Sequence, residues 1–306
     1  MRKKILVIQG SSLNRINPKT DSTLFLALEA QVRGYQVYYY EPKNLSFISG
    51  KVVAKCFQLI FFEGNKKFFR ISKIVNLNLI KANVLLIRNE PPFNQQYINT
   101  TFILEHISHK VQIINHPKSI REVPEKLFSM RLMTFMPPTL ISENLSEIKK
   151  FFKKNKKVIV KPINGYGGNN VLLLNGFKQK LITSYLKKNN HVIFQKYLTG
   201  ISKGDRRVFI INGKIRGSIT RVPKKGNILS NMSKGATAKI DKLTSKEIKI
   251  SKHVALLLKR KKIYFAGIDF IQGRLIGDIN VTSPTGLVAL KDLTGINLAK
   301  YFWNKI

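Results

Sequence analysis

A single cysteine, Cys56, in 306 residues excludes an internal disulfide and suits a reducing compartment, the cytoplasm. Standing alone in an alternating apolar run, it reads as packing rather than chemistry. No apolar run approaches the ~18 residues that a membrane-spanning helix needs, so no membrane association is expected. Residues 1–10 begin basic, but their apolar core is too short for a signal peptide and reads as a first strand. No internal repeat or low-complexity tract stands out. Acids are scarce: 16 Asp and Glu face 54 Lys and Arg, a formal charge of +38. Such a charge can attract nucleic acid. The surplus is mostly lysine, spread end to end amid abundant Asn and Ile, as an AT-rich genome would produce. Basic motifs interleaved with base-stacking aromatics are absent. Nucleic acid as a partner is therefore disfavoured despite the charge.

What is present is a globular pattern, 43% hydrophobic, with length for two domains or one elaborate one. Strands at 4–8 and 36–40 flank a helix at 24–32 that Asp21-Ser22-Thr23 would cap and Gly34 would close, which makes a βαβ unit. Alternating runs at 51–60 and 67–71 around Glu63-Gly64-Asn65 predict a hairpin. A buried strand at 84–88, a helix at 97–106 and a short strand at 112–115 follow. Residues 1–120 thus read as a Rossmann-like α/β domain without a dinucleotide fingerprint. Pro124–Phe128 opens a predicted helix. A strand at 139–141 precedes a helix that Asn144 caps, with Glu147 in the style of a capping box. Further on lie a helix at 178–187, a strand at 192–196 and a hairpin, 208–211 with 214–221, about Asn212-Gly213. Residues 223–238 read as a mobile loop, and 245–260 as a helix.

The chain is organised around residues 157–174. Two aliphatic strands, 158–160 and 171–174, enclose Gly165-Tyr166-Gly167-Gly168. Glycines there permit positive φ and let backbone N–H groups approach an anion. Lys161 leaves the first strand just before the loop, where polyphosphate oxygens would lie. The other reading is an ordinary glycine-rich hairpin with a surface lysine. A P-loop or dinucleotide loop is ruled out by order, because these glycines join strand to strand and the lysine precedes them. That order suggests a flap folding over phosphates from above.

Residues 265–280 form a second candidate site, two strands joined by Gln272-Gly273. A two-residue turn pairs Phe270 with Leu275 and Asp269 with Ile276, so Asp269, Asp278 and Asn280 share one face. Two carboxylates and an amide oxygen suit Mg²⁺ shared with phosphates; an ordinary polar strand face is the alternative.

Flap, lysines and oxygen face together resemble the ATP-grasp superfamily, which clamps ATP between two α+β subdomains. Over nearly the whole chain the resemblance extends to the bacterial glutathione synthetases. It is carried by Asp21–Leu24, Leu28–Gln31 with Arg33-Gly34-Tyr35, Arg88–Phe93, Ile103–Glu105, Glu125–Phe128, Val160–Pro162, the glycine loop, Gln195–Leu198, Gly204–Val208, Arg221–Pro223 and Ile279–Gly286. It implies an N-terminal Rossmann-like pre-ATP-grasp domain over 1–120. A two-subdomain ATP-grasp fold follows, divided at 121–200 and 201–306. The implied reaction joins γ-glutamylcysteine and glycine through an acyl phosphate, with ATP and Mg²⁺ (or Mn²⁺), in a cytoplasmic homo-oligomer, a tetramer by resemblance.

By the same resemblance, Lys126, Lys161, Gly165, Tyr166, Gly167 and Gly168 hold the ATP phosphates. Gln195, Lys196, Tyr197, Leu198 and Asp205 serve the rest of the nucleotide. Asp269, Asp278 and Asn280 hold the metal. Arg207 stabilises the tetrahedral oxyanion, with Lys161, Arg221 and Asn231 the other catalytic candidates. Asp21, Ser22, Arg88, Arg221, Ser283, Thr285 and Gly286 hold the peptide substrate. The chain departs from the family in four places: Asp278 stands where Glu is usual, Leu229 and Thr237 where loop arginines are usual, and Val288-Ala289 where Arg-Glu is usual. A related carboxylate–amine ligase with another acceptor, or a drifted slower homologue, is the alternative activity. A nucleic-acid-binding protein on an inert ATP-grasp shell is the third reading.

Overall fold

The computed structural model describes residues 4–62 and 68–306. The hairpin turn expected at Glu63-Gly64-Asn65 lies outside the described residues. The first part of the chain contains β1 (Lys4–Gln9), α1 (Ser22–Val32), β2 (Tyr35–Tyr40), β3 (Leu45–Ile48), β4 (Lys51–Phe61), β5 (Phe69–Asn78), β6 (Val84–Ile87), α2 (Gln95–Glu105), β7 (Gln112–Ile114) and α3 (Pro117–Glu122). Sheet order is β3-β4-β2-β1-β6-β7, with β5 on the free side of β4. The β2-β1-β6-β7 run is parallel, as the βαβ reading required. Asp21 caps α1 by accepting from the Leu24 N–H at 2.7 Å, and Gly34 follows the helix at φ +84°.

The middle part contains β8 (Thr139–Ser142), α4 (Leu145–Lys154), β9 (Lys157–Pro162), β10 (Leu172–Asn175), α5 (Gln179–Asn189) and β11 (Val192–Lys196) in an antiparallel sheet ordered β10-β9-β11-β8. Ile148 and Phe152 of α4 and Ile182 of α5 pack on Val158, Val160 and Phe194. Both helices therefore cover one face of this small sheet and leave the other to the cleft.

The last part contains β12 (Asp205–Ile211), β13 (Lys214–Val222), β14 (Thr237–Lys239), α6 (Ser245–Arg260), β15 (Phe265–Ile271), β16 (Arg274–Asn280), α7 (Leu287–Thr294) and α8 (Leu298–Trp303). Its antiparallel sheet runs β14-β13-β12-β15-β16. One face packs on α6 and on the segment 128–136. The other shares a single core with the first sheet through α1, α7 and α8, where Leu24 and Leu26 join Phe209, Ile219, Phe302 and Trp303. Buried Asn115 ties the same two layers. Its Nδ2 donates to the Phe265 and Val281 carbonyls at 2.7 Å each, and its Oδ1 accepts from the Tyr264 and Phe265 N–H groups at 2.8 and 2.9 Å. Among the described residues no helix is long and apolar enough to cross a membrane.

Several expectations need correction. The helix expected from Pro124 is instead a 3-10 segment, Phe128–Phe135, kinked at Leu132, whose backbone leaves the helical region. Helix α3 was not foreseen; Pro117 stands in its first turn, where a proline is tolerated. Asn144 caps α4 from Ser146 and Glu147, but Glu147 turns to Lys150 instead of completing a box. The reciprocal box belongs to Thr244 and Glu247 on α6. The most consequential correction concerns β15 and β16. Phe270 pairs with Leu275 as expected, but beyond a bulge Ile268 pairs with Ile279, so Asp269 does not pair with Ile276. Gly277, at φ +85°, makes the bulge. The shift is by two residues, so the faces are preserved: Asp269, Asp278 and Asn280 still point one way, and Asp278 moves level with Asp269.

Candidate active site

The three sheets enclose one cleft of about 1010 Å³. All but two of the residues singled out from the sequence line it, and the two exceptions are Ser22 and Arg88.

The roof comes from β9, β10 and the loop between them. Gly167 and Gly168 hold φ of +60° and +74°, which only glycine adopts without cost. A Cβ on Gly168 would meet Asn231 Oδ1 at 2.7 Å and Leu229 Cδ2 at 3.0 Å. The glycine loop and the 223–238 loop thus touch above the cleft, and Gly168 is what permits the approach. The Lys126 ammonium donates to the Gly165 carbonyl. Tyr185 of α5 donates to the Asn170 carbonyl and anchors the far end of the same loop.

Lys161 is 7% exposed. It donates to the Ile276 carbonyl at 3.0 Å and lies 3.5 Å from Asp278 Oδ1. Burial lowers its pKa and the Asp278 carboxylate partly restores it. A buried ammonium held by one carbonyl and one loosely placed carboxylate still has donor capacity for an anion.

At the Gln195–Leu198 end of the cleft, Gln195 Nε2 donates to Thr139 Oγ1 at 2.9 Å. The N–H groups of Lys196 and Tyr197 donate to the Pro138 and Lys157 carbonyls at 2.9 and 3.0 Å.

The floor is a buried lattice of two arginines and two aspartates. Arg207 Nε and Nη2 donate to Asp269 Oδ1 and Oδ2 at 2.8 and 2.7 Å. Arg221 Nε donates to Asp205 Oδ1 at 2.7 Å and its Nη2 lies 3.0 Å from Asp269 Oδ2. Burial alone would raise the Asp269 pKa, but Arg207 and Arg221 outweigh it and hold the carboxyl well below the usual range. Arg207 Nη1 points away from this lattice, to the Thr285 carbonyl and hydroxyl at 3.4 and 3.3 Å.

The oxygen face is thus less uniform than its sequence suggests. Asp269 is engaged by guanidinium on both oxygens. Asn280 Nδ2 donates to the Gly267 carbonyl and to Asp269 Oδ2 at 3.2 and 3.3 Å, which turns the amide oxygen outward. Asp278 Oδ1 is buried with no aligned hydrogen-bond donor among the described residues, and the Lys161 ammonium lies 3.5 Å from it. Among the described residues no three of His, Cys, Asp or Glu converge. An orphaned carboxylate oxygen beside an outward amide oxygen nevertheless fits a hard divalent cation whose other ligands come from phosphate and water. Asp278 and Asn280 are its natural holders, with Asp269 behind them.

Ser22 is fully buried, and its hydroxyl accepts from the Gly286 and Leu287 N–H groups at 3.0 and 3.1 Å. It holds the first turn of α7 and does not line the cleft where its substrate contact was expected. Arg88 donates to Thr23 Oγ1 and the Pro284 carbonyl at 3.1 and 2.9 Å. Burial pulls its pKa down to about 10, and its Nη1 lacks a partner. It braces the 283–286 segment from behind.

Sequence reasoning missed Arg15 and Asn17, which also line the cleft, and it named Glu90, Glu125 and Thr282 only within family-like segments and gave them no place at the site. The 10–20 segment has no periodicity, yet it follows the carboxyl end of a parallel strand, where α/β folds bind ligands. That placement was the available signal.

Comparison with known proteins bears on the whole chain. Residues 4–121 match the family model for the N-terminal domain of prokaryotic glutathione synthetase, and residues 125–295 match the model for its ATP-grasp domain. A glutathione synthetase of Bradyrhizobium diazoefficiens is 37% identical over 98% of this chain and 97% of its own length. One from Buchnera aphidicola subsp. Schizaphis graminum is 34% identical over 100% of this chain and 99% of its own. Among solved structures, a D-cycloserine synthetase superposes with a TM-score of 0.68 at 12% identity, covering 98% of this chain and 99% of that one. The D-alanyl-alanine synthetase A of Vibrio cholerae gives 0.63 at 14% identity, covering 98% and 96%. The fold is that of the ATP-grasp ligases.

Proposed function

The chain belongs to the prokaryotic glutathione synthetase family, and we propose that it joins γ-glutamylcysteine to glycine at the expense of ATP. The observation that carries this reading is convergence. Lys126, Lys161, the glycine loop, Asp278 and Asn280 come from three separate segments and meet on one cleft.

A carboxylate resists amide formation because it is anionic and has no leaving group. An oxygen of the cysteine carboxylate attacks the γ-phosphorus, ADP departs, and an acyl phosphate forms. Glycine's amine then adds to the acyl carbon, and phosphate leaves with the carboxylate oxygen. The amine's proton goes to solvent. The first step needs charge neutralisation more than proton abstraction. Lys126 exchanges the Gly165 carbonyl for phosphate oxygens, and Lys161, poor in anionic partners, supplies the second cation. Magnesium or manganese, held by Asp278 and Asn280, would neutralise phosphate charge. Arg207 Nη1 and Arg221 face the developing oxyanion from a lattice too rigid to reorganise. The contact of Leu229 and Asn231 with Gly168 roofs the acyl phosphate against water. Asp21, Ser283, Thr285 and Gly286 line the peptide end of the cleft. The assembly is a cytoplasmic homotetramer in this reading.

Purified protein with ATP, Mg²⁺, γ-glutamylcysteine and glycine should release phosphate only when both acceptors are present. Release with neither dependence rejects the reading. Turnover with another amino acid in place of glycine supports the sister activity, which the apolar Leu229 at a position usually cationic in the family favours.

A further inference from the structure

Glu125 precedes Lys126 and lines the cleft. Its Oε1 accepts from the Val281 N–H at 2.9 Å, the Thr282 N–H at 3.1 Å and the Thr282 hydroxyl at 2.8 Å. Its backbone carbonyl accepts from the Ile279 N–H at 3.1 Å. These four bonds flank Asn280 on both sides. Strand β16 ends at Asn280 and helix α7 starts only at Leu287, so 281–286 has little regular structure of its own to hold it. An ionised acceptor bonded to adjacent N–H groups is a strong local clamp.

We propose that Glu125 is a positioning residue that fixes Asn280 beside Asp278 and couples this metal-holding edge to Lys126. One peptide bond separates the clamp from the phosphate lysine, so metal and phosphate grips are set by a single rigid stretch. The inference rests on the assignment of Asp278 and Asn280 as metal holders. Partners that orient a metal ligand are commonly worth 10–100-fold in metal affinity.

Titration calorimetry with the magnesium complex of a non-hydrolysable ATP analogue, and separately with ADP in EDTA, tests this. The parent protein must bind the magnesium complex; if it does not, the assignment of the metal edge has failed, independently of Glu125. Given parent binding, Glu125→Ala should weaken the magnesium complex about 10–100-fold while metal-free ADP changes less than about threefold. Glu125→Gln keeps an acceptor at Oε1 and should return to within about threefold, with an unaltered pH profile of kcat. Glu125→Asp, a methylene short, should resemble Ala and carries the test if the Ala variant does not fold. Parent-like magnesium binding by Glu125→Ala or →Asp overturns the proposal. So does equal loss for both nucleotide forms. Normal binding by Glu125→Gln with kcat lost would instead make the carboxylate a proton acceptor for the amine.

Discussion

Replacing Gly277 by alanine should damage the metal edge more than the fold. Two penalties can be separated. Gly277 sits at φ +85°, and a non-glycine residue in left-handed backbone costs about 1–2 kcal/mol. The new Cβ would also meet Met136 Cε at 2.7 Å and Ser129 Oγ at 3.1 Å. Met136 is flexible, so relieving that overlap should add about 1–3 kcal/mol. The sum, about 2–5 kcal/mol, is a large share of a typical stability but leaves folding possible. Gly34→Ala is the control: its φ is +84° with nothing within 4 Å of a Cβ. Denaturant midpoints should show Gly34→Ala losing only the backbone part. The functional effect follows from the bulge, which brings Asp278 level with Asp269. If Gly277→Ala unmakes it, affinity for the magnesium–nucleotide complex should fall at least tenfold, while Gly34→Ala leaves it unchanged. Equal stability losses in the two variants, with parent-like nucleotide binding in both, would refute the argument.

Lys161→Met should abolish turnover with circular dichroism unchanged, and wild-type activity in that variant would remove the flap from the account. Burial lowers the Lys161 pKa below its ordinary 10.5, so the unfolded chain holds that proton more tightly. Unliganded stability should therefore rise as pH climbs from the lowered value toward 10.5, and Lys161→Met should flatten that rise in denaturant titrations. Asn115→Ala strands buried groups of Tyr264, Phe265 and Val281 at once and should cost at least about 3 kcal/mol. A midpoint shift under 1 kcal/mol in denaturant would mean that water replaces the amide there.

Local chemistry was legible in the sequence where one residue type decides the outcome. Asp21 had to cap α1, Asn212-Gly213 had to turn, and the glycine loop had to join two strands. Residues whose partners are distant in the chain were harder to read. Arg88 and Ser22 carry family-like motifs, yet Arg88 Nη2 and the Ser22 hydroxyl bond to Pro284, Gly286 and Leu287, more than 190 residues away. Asp269 looked like a free ligand because nothing local reveals that Arg207 and Arg221 both reach it. The oxygen face was foreseen on a regular ladder, and it survives only because the Gly277 bulge shifts the register by an even number. Parity was readable; the bulge was not, because a lone Gly277 in the strand does not say whether it bends the ladder, and Met136, close enough to crowd a Cβ there, is distant in the chain.

The central claim is that one polyphosphate is gripped from above and below so that a carboxylate can be phosphorylated. Labelling the cysteine carboxylate of γ-glutamylcysteine with oxygen-18 and running the complete reaction tests it directly. Mass spectrometry should find one labelled oxygen in the released phosphate, carried there from the acyl phosphate. Unlabelled phosphate, or label appearing in AMP, would contradict the account.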